Sequence, residues 1–269
     1  MTSPQPTRTG QRRVPIENFW LDALTEREVV DTVRESWAAG QGGSVIPVNV
    51  DVARAVKRQP DLAELLTAGS IVVADGMPLL WATRAAGQVL PERVAGSALL
   101  FSLSAAAAAD GRSVFLLGGA EGVPEKAAEA LSARFPGLRV AGAQSPPFGF
   151  DQSPEGVQRA IATVTAAAPD LVFVGLGFPR QERLIEQLRR AQPSAWYLAC
   201  GGGISMAAGI TRRASPLVQR LGLEWAHRLI LEPRRLARRY LRDDLPFAIG
   251  MLTRAAMRRF ARSPDGPAG

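Results

Sequence analysis

Short, nearly unbroken apolar runs recur along the first four-fifths of the chain: SVIPV at 44–48, SIVVA at 70–74, SVFLL at 113–117, LRVAG at 138–142, DLVFVGL at 170–176 and AWYLA at 195–199. A strand with one wet face alternates apolar and polar residues, whereas a run apolar at consecutive positions suits a strand covered on both faces. The intervening segments 60–67, 97–109, 122–134, 154–167 and 179–190 are long enough to be crossover helices. The alternation predicts an α/β protein, a Rossmann-like parallel sheet with helices on both faces, over residues 14–210. Beyond that the strand signal stops. Residues 211–262 read as a helical, Arg-rich C-terminal appendage, with Pro216, Pro233 and Pro246 each placed where a first helical turn begins. The ends, 1–13 and 263–269, are rich in Pro, Gly, Ser and charge and are expected to be disordered.

Charge divides the chain near the same boundary. Residues 212–262 hold 13 arginines against four acids, while the remainder is close to neutral with a slight acidic excess, so the net charge of +7 originates in the last fifth. The densest stretch is Leu223–Leu241, where Arg228, Arg234, Arg235, Arg238 and Arg239 stand on an apolar frame of helical period. Arg234, Arg238 and Arg242 recur every four residues, which places guanidinium groups along one helix face. Such a face suits a phosphate-rich partner, either nucleic acid or an anionic lipid surface. Aromatic residues are only 6% of the chain and none form a stacking platform among these arginines, which argues against a nucleic-acid-binding module, the competing reading. The next segment, LPFAIGMLTRAAMRRFAR, joins an apolar body to further arginines and fits a helix lying in an anionic membrane surface, although packing against the core with solvated arginines is the alternative. No stretch of 18 apolar residues and no signal-peptide pattern occurs. The expectation is therefore a cytoplasmic protein associated peripherally with the inner face of the cell membrane. A single Cys, Cys200, excludes a disulfide framework, and a single His, His227, leaves little room for histidine catalysis.

In an open parallel sheet, ligands bind outside the carboxyl ends of the strands. Those ends carry Asn49, the pair Asp75 and Gly76, the pair Gly118 and Gly119, the run from Gly177 to Glu182, and the triple glycine Gly201–Gly203. Glycines there let backbone N–H groups approach phosphates closely, so Gly118, Gly119 and Gly202 are candidate substrate contacts. Asp75 ends an apolar run, where partial desolvation can tune a carboxylate for proton transfer; it also stands where it would cap a helix beginning near Met77. Gln181 and Glu182 are either site residues or the ordinary polar first turn of a helix opened by Pro179. Arg93 is either an anion contact or a loop charge. The sequence has no GxxxxGK[ST], only an incomplete glycine fingerprint in LLGGAEG, no HExxH and no acid pair near a strand end. P-loop chemistry, dinucleotide binding and a dedicated metal site are therefore unsupported, and no cofactor is expected.

Together, VNVDVARAV, VADGMPLLW, PERVAGSALL, VFLLGGAEGVPEKAAEAL, GLGFPRQE, GGGISMAAG and GLEWAHRLILEPRRLARRYL resemble, in order and over about residues 15–242, the WecG/TagA/CpsF family of bacterial glycosyltransferases. The resemblance implies an inverting, metal-independent transfer of a sugar, often N-acetylmannosamine, from a UDP-sugar to a polyprenyl-diphosphate-linked acceptor during cell-wall or surface-polysaccharide synthesis. It implies Asp75 as general base, with Asn49, Arg93 and Gln181 lining the donor and catalytic pocket. It also implies that Arg228, Arg234, Arg235, Arg238 and Arg239 hold the acceptor diphosphate at the membrane. The chain departs from the family pattern at Pro47, where Thr is usual, and at Ala98 and Ser205, where Asp is usual. These departures leave the donor open to another UDP-sugar, such as UDP-glucose or a uronic acid, and an inactive relative is the remaining alternative. Homo-oligomer formation is left open.

Overall fold

The computed structural model describes residues 12–67, 71–211, 229 and 242–262. An antiparallel hairpin, β1 (Arg13–Ile16) and β2 (Phe19–Asp22), precedes α1 (Glu26–Ala38). The order then runs β3 (Gly43–Val48), α2 (Val50–Arg58), α3 (Ala63–Thr67), β4 (Ile71–Ala74), α4 (Met77–Ala85), α5 (Gly96–Ala109), β5 (Ser113–Gly118) and α6 (Val123–Arg134). It continues through β6 (Arg139–Gln144), α7 (Pro154–Ala167), β7 (Leu171–Gly175), α8 (Arg180–Ala191), β8 (Trp196–Ala199) and α9 (Gly203–Ala207), and α10 (Leu245–Arg262) is the last described helix. Strands β3 to β8 form one sheet in the order β4-β3-β8-β7-β5-β6, and every pairing in it is parallel. The α/β architecture with helices on both faces is as the sequence pattern predicts.

Strand side chains alternate between two cores. Val45, Val73, Leu116, Phe173 and Leu198 turn toward α1, α5, α6 and α9. Ile46, Val72, Leu117, Val174 and Tyr197 turn toward the hairpin and toward α2, α4, α7 and α8. Because both faces are covered, both alternating sets must be apolar, which explains the continuous runs in the sequence. The exception is β6, an outer strand whose residues are exposed or half-buried, so LRVAG is less enclosed than its composition predicts. Pro47 is tolerated in β3 because the register with β8 ends at Val45, two residues earlier. On the other side Asp75 N–H donates to Val48 O at 2.7 Å, and alternation points the proline nitrogen away from that ladder.

Helix starts follow local chemistry. Thr25 and Glu28 form a capping box at α1, each side chain accepting from the other's backbone N–H. Ser153 accepts from Gly156 N–H at 3.1 Å to open α7.

The N-terminal hairpin is the main element that the run pattern does not anticipate. Arg13, assigned to the disordered end, begins its first strand. Val14, Ile16, Phe19 and Leu21 enter the core, and Glu17 makes the turn with a φ of 47°. Asp22, 3% exposed, accepts from Val72 N–H on the outer strand β4 at 2.8 Å and from Arg13 Nε at 3.1 Å.

Pro246 lies in the first turn of α10, as expected. Ala248 and Met251 are buried, and the helix packs chiefly against α4. Two ion clusters hold it. Glu17 Oε1 accepts from Arg254 Nε and Nη2 at 3.0 and 2.7 Å, and Glu17 Oε2 pairs with Lys57 Nζ at 3.2 Å. Arg54 of α2 pairs with Asp244 at 3.1 Å, with Asp243 at 3.5 Å and with Asp51 on its own helix. Away from this dock, Leu245, Ile249 and Met257 are exposed. The helix is packed against the core on one side, as the alternative reading of its sequence has it, and Arg258 and Arg259 are exposed. No helix among the described residues is long and apolar enough to cross a membrane. Pro216, Pro233, His227, Arg228, Arg234, Arg235, Arg238, Arg239 and both chain ends, 1–11 and 263–269, lie outside the described residues.

Candidate functional site

The carboxyl ends of the strands collect the described candidates Asn49, Asp75, Gly118, Gly119, Gln181, Glu182 and Gly202. Helices α2, α4, α6, α8 and α9 each follow a strand by a short turn, so their N-termini open onto this edge, where partial positive charge and unpaired N–H groups favour anions. Asp75 leaves β4 immediately before α4. Its side chain is 28% exposed, and Arg93, from the loop between α4 and α5, brings Nη1 to 3.5 Å from Oδ1. The other oxygen, Oδ2, accepts from Gly96 N–H at 3.3 Å. Asp75 does not cap α4: the N-cap is Gly76, whose φ of 155° requires glycine, and no side chain caps that helix. The carboxylate therefore meets solvent, a guanidinium and the first turn of α5. It is oriented, paired and reachable, which a proton acceptor must be.

Asn49, at the end of β3, is exposed and caps α2, its Oδ1 accepting from Val52 N–H at 3.1 Å. Two of the departures from the family pattern lie nearby in the chain's layout: Pro47 is buried in β3, and Ala98 is buried in the first turn of α5. Ser205 is half-buried on α9.

Toward the sheet centre, β5, β7 and β8 meet through glycines. Gly118 has a φ of 110°, and a Cβ there would lie 2.6 Å from Gly175 O; a Cβ on Gly175 would lie 2.8 Å from Gly201 O. Backbone packs directly on backbone, and Gly119 N–H donates to Gly175 O at 3.1 Å across the seam. Gly119 and Gly202 are exposed beside this seam, while Gly118 is buried within it.

Gln181 and Glu182 occupy the first turn of α8 but face inward, 6% and 3% exposed. Gln181 Oε1 accepts from Gly177 N–H at 3.2 Å and from Gly201 N–H at 3.3 Å, which ties the turn after β7 to the turn after β8. Gln181 Nε2 donates to Glu182 Oε1 at 2.9 Å. Burial raises the Glu182 carboxyl from 4.5 to about 7, against hydrogen bonds from Gln181 and from its own backbone. Three partners in this site, Gly96, Gly177 and Gly201, act through backbone N–H, so only glycine at a strand or helix end signals them in sequence.

Cys200 directly follows β8 and is buried, with Sγ 3.4 Å from Val174 O. Burial pushes its thiol up to about 12, so it behaves as the small buried hydrophobe expected of it.

By strand spacing, Asp75 on β4 stands about 14 Å from the Gly177 turn on β7, three strands away. The edge is therefore long enough for an elongated ligand, with a carboxylate at one end and glycine-rich turns toward the other. The sequence matches the Glycosyl transferase WecG/TagA/CpsF family over residues 14–261. It is similar to the N-acetylglucosaminyldiphosphoundecaprenol N-acetyl-beta-D-mannosaminyltransferase of Bacillus subtilis (strain 168), 30% identical over 210 residues, which is 78% of this chain and 80% of the relative. With a match that runs through the sheet and to α10, the chain belongs to the WecG/TagA/CpsF family of glycosyltransferases.

Proposed function

We propose that this glycosyltransferase moves a hexose from a UDP-sugar to an acceptor sugar carried on a polyprenyl diphosphate, with inversion at the anomeric carbon. The observation that carries the reading is Asp75: a partly exposed strand-end carboxylate held by Arg93 and the Gly96 N–H, at one end of an edge of helix N-termini. Asp75 takes the proton of the acceptor hydroxyl as that oxygen bonds the anomeric carbon, and the bond from that carbon to the diphosphate breaks with its electron pair leaving on UDP. Arg93 offsets the developing negative charge. Asn49, Gly118, Gly119, Gln181, Glu182 and Gly202 form or support the donor site. The mannosamine donor and N-acetylglucosaminyl-diphospholipid acceptor in the relative's name are the first substrates to try.

Residues 14–210 act as the catalytic domain and 211–262 as the acceptor and membrane appendage. Support for the latter comes from the arginine excess and from α10, which carries exposed Leu245, Ile249 and Met257 with arginines on the same helix. Arg228, Arg234, Arg235, Arg238 and Arg239 supply the diphosphate contacts in this reading, and the protein works peripherally at the cytoplasmic membrane face.

The test is Asp75→Asn. Turnover should fall roughly 10²–10⁴-fold while UDP binding, followed by calorimetry, stays within about threefold. An unchanged turnover number would remove Asp75 from the mechanism.

A further inference from the structure

The Gln181 side chain works as a bracket between two turns, and a primary amide can sit in such a bracket two ways. With Oε1 toward Gly177 and Gly201 it accepts from both N–H groups; flipped, it would bring an NH₂ against two donors and lose both bonds. The two N–H groups thus select the oxygen, and an acceptor for the amide nitrogen completes the selection. That acceptor is Glu182 Oε1, which receives Gln181 Nε2 at 2.9 Å. The pair are sequence neighbours in one helical turn, yet both are buried, so this contact is made inside the protein. The second oxygen, Glu182 Oε2, is buried and has no hydrogen-bond partner among the described residues, so the carboxyl's one side-chain bond is the bond to Gln181. A buried acid whose one side-chain partner is an amide costs desolvation that an apolar residue would avoid, which points to that contact as its role.

We infer that Glu182 is a positioning residue: it locks the Gln181 amide in the orientation that fastens the β7 turn to the β8 turn, and so sets the spacing of the two turns that border the donor diphosphate. The inference rests on reading those turns as the donor site. Glu182 acts through Gln181 and touches no substrate. Its carboxyl, raised to about 7 by burial, accepts from the amide in either protonation state, since Oε1 keeps a lone pair in both.

The test is a double-mutant cycle on UDP binding, measured by calorimetry with wild-type protein, Glu182→Met, Gln181→Ala and the double variant. Glu182→Met keeps the volume and deletes the acceptor, and should weaken UDP binding about tenfold. In the Gln181→Ala background the same change should have an effect under about twofold, because the group that Glu182 orients is gone. Glu182→Gln, which restores an acceptor, should recover most of the lost affinity. Equal weakening by Glu182→Met in both backgrounds would overturn the inference and leave the UDP-sugar reading intact. Wild-type protein that binds no uridine nucleotide would instead overturn both. Should Glu182→Met fail to fold, NMR of the wild-type protein decides: a locked Gln181 amide gives a slowly exchanging NH₂ pair, and rapid exchange would overturn the inference.

Discussion

Asp75 and Glu182 are both carboxyls near the strand ends, but one is 28% exposed beside a guanidinium and the other is 3% exposed beside an amide. The buried one makes stability depend on pH. Folded protein holds the Glu182 proton until about pH 7, while the unfolded chain releases it near 4.5. Between those values the unfolded state binds fewer protons, so stability falls as pH rises through the window and is level above it. Glu182→Gln has no such proton. Relative to wild type it should gain stability between pH 5 and pH 8, by up to about 3 kcal/mol. Urea unfolding at the two pH values measures the gain, and an identical difference at both would mean that the carboxyl is not held protonated. The position of Asp75 was legible in the sequence because an acid closing the run IVVA has one natural place, the end of a strand. The inward turn of Gln181 and Glu182 was not. A polar pair after Pro179 reads as a solvated helix start, and its burial depends on Gly201, twenty residues further on.

At the scale of elements, the five expected crossover segments appear as helices beginning within three residues of their expected starts, and all six sheet runs appear as strands. This succeeds because a sheet buried on both faces imposes an unbroken apolar signal. The hairpin escaped because its strands, RVPI and FWLD, are only four residues long and the first starts within a basic, proline-containing end. Which strand ends would touch was also hidden, since glycines at 118, 175 and 201 are far apart in sequence and meet only through the strand order. That seam is testable. Gly175→Ala puts a methyl carbon 2.8 Å from Gly201 O and 2.9 Å from the Ile204 side chain, too close for either, so the β7 and β8 ends must part. The variant should lose about 1–3 kcal/mol and bind UDP more weakly. Thermal denaturation with and without UDP checks this, and a melting temperature matching wild type would show that the seam relaxes freely.

For the whole molecule, the first and last described elements are fastened together: Glu17 in the N-terminal hairpin receives Arg254 of α10, across 237 positions of chain. Burial raises the Glu17 carboxyl, but the bonds and charges of Arg254 and Lys57 outweigh it and leave it below its ordinary value. The same hairpin governs the rim of the sheet. Strand β4, which delivers Asp75, is an outermost strand, and its outward Val72 N–H is taken by the Asp22 carboxylate rather than by another strand. A bare outer strand is a template onto which a second chain can add. Asp22 closes that template with a side chain, so the rim is finished without a seventh strand and the turn at Asp75 stays uncovered. Asp22→Ala should therefore self-associate as well as destabilise, with light scattering rising with protein concentration under conditions that keep wild type monodisperse. Scattering that matched wild type would assign the sealing to the hairpin backbone. Asp22, a buried acid far from Asp75 in the sequence, thus caps the strand that delivers Asp75 where another copy of the protein could otherwise pair.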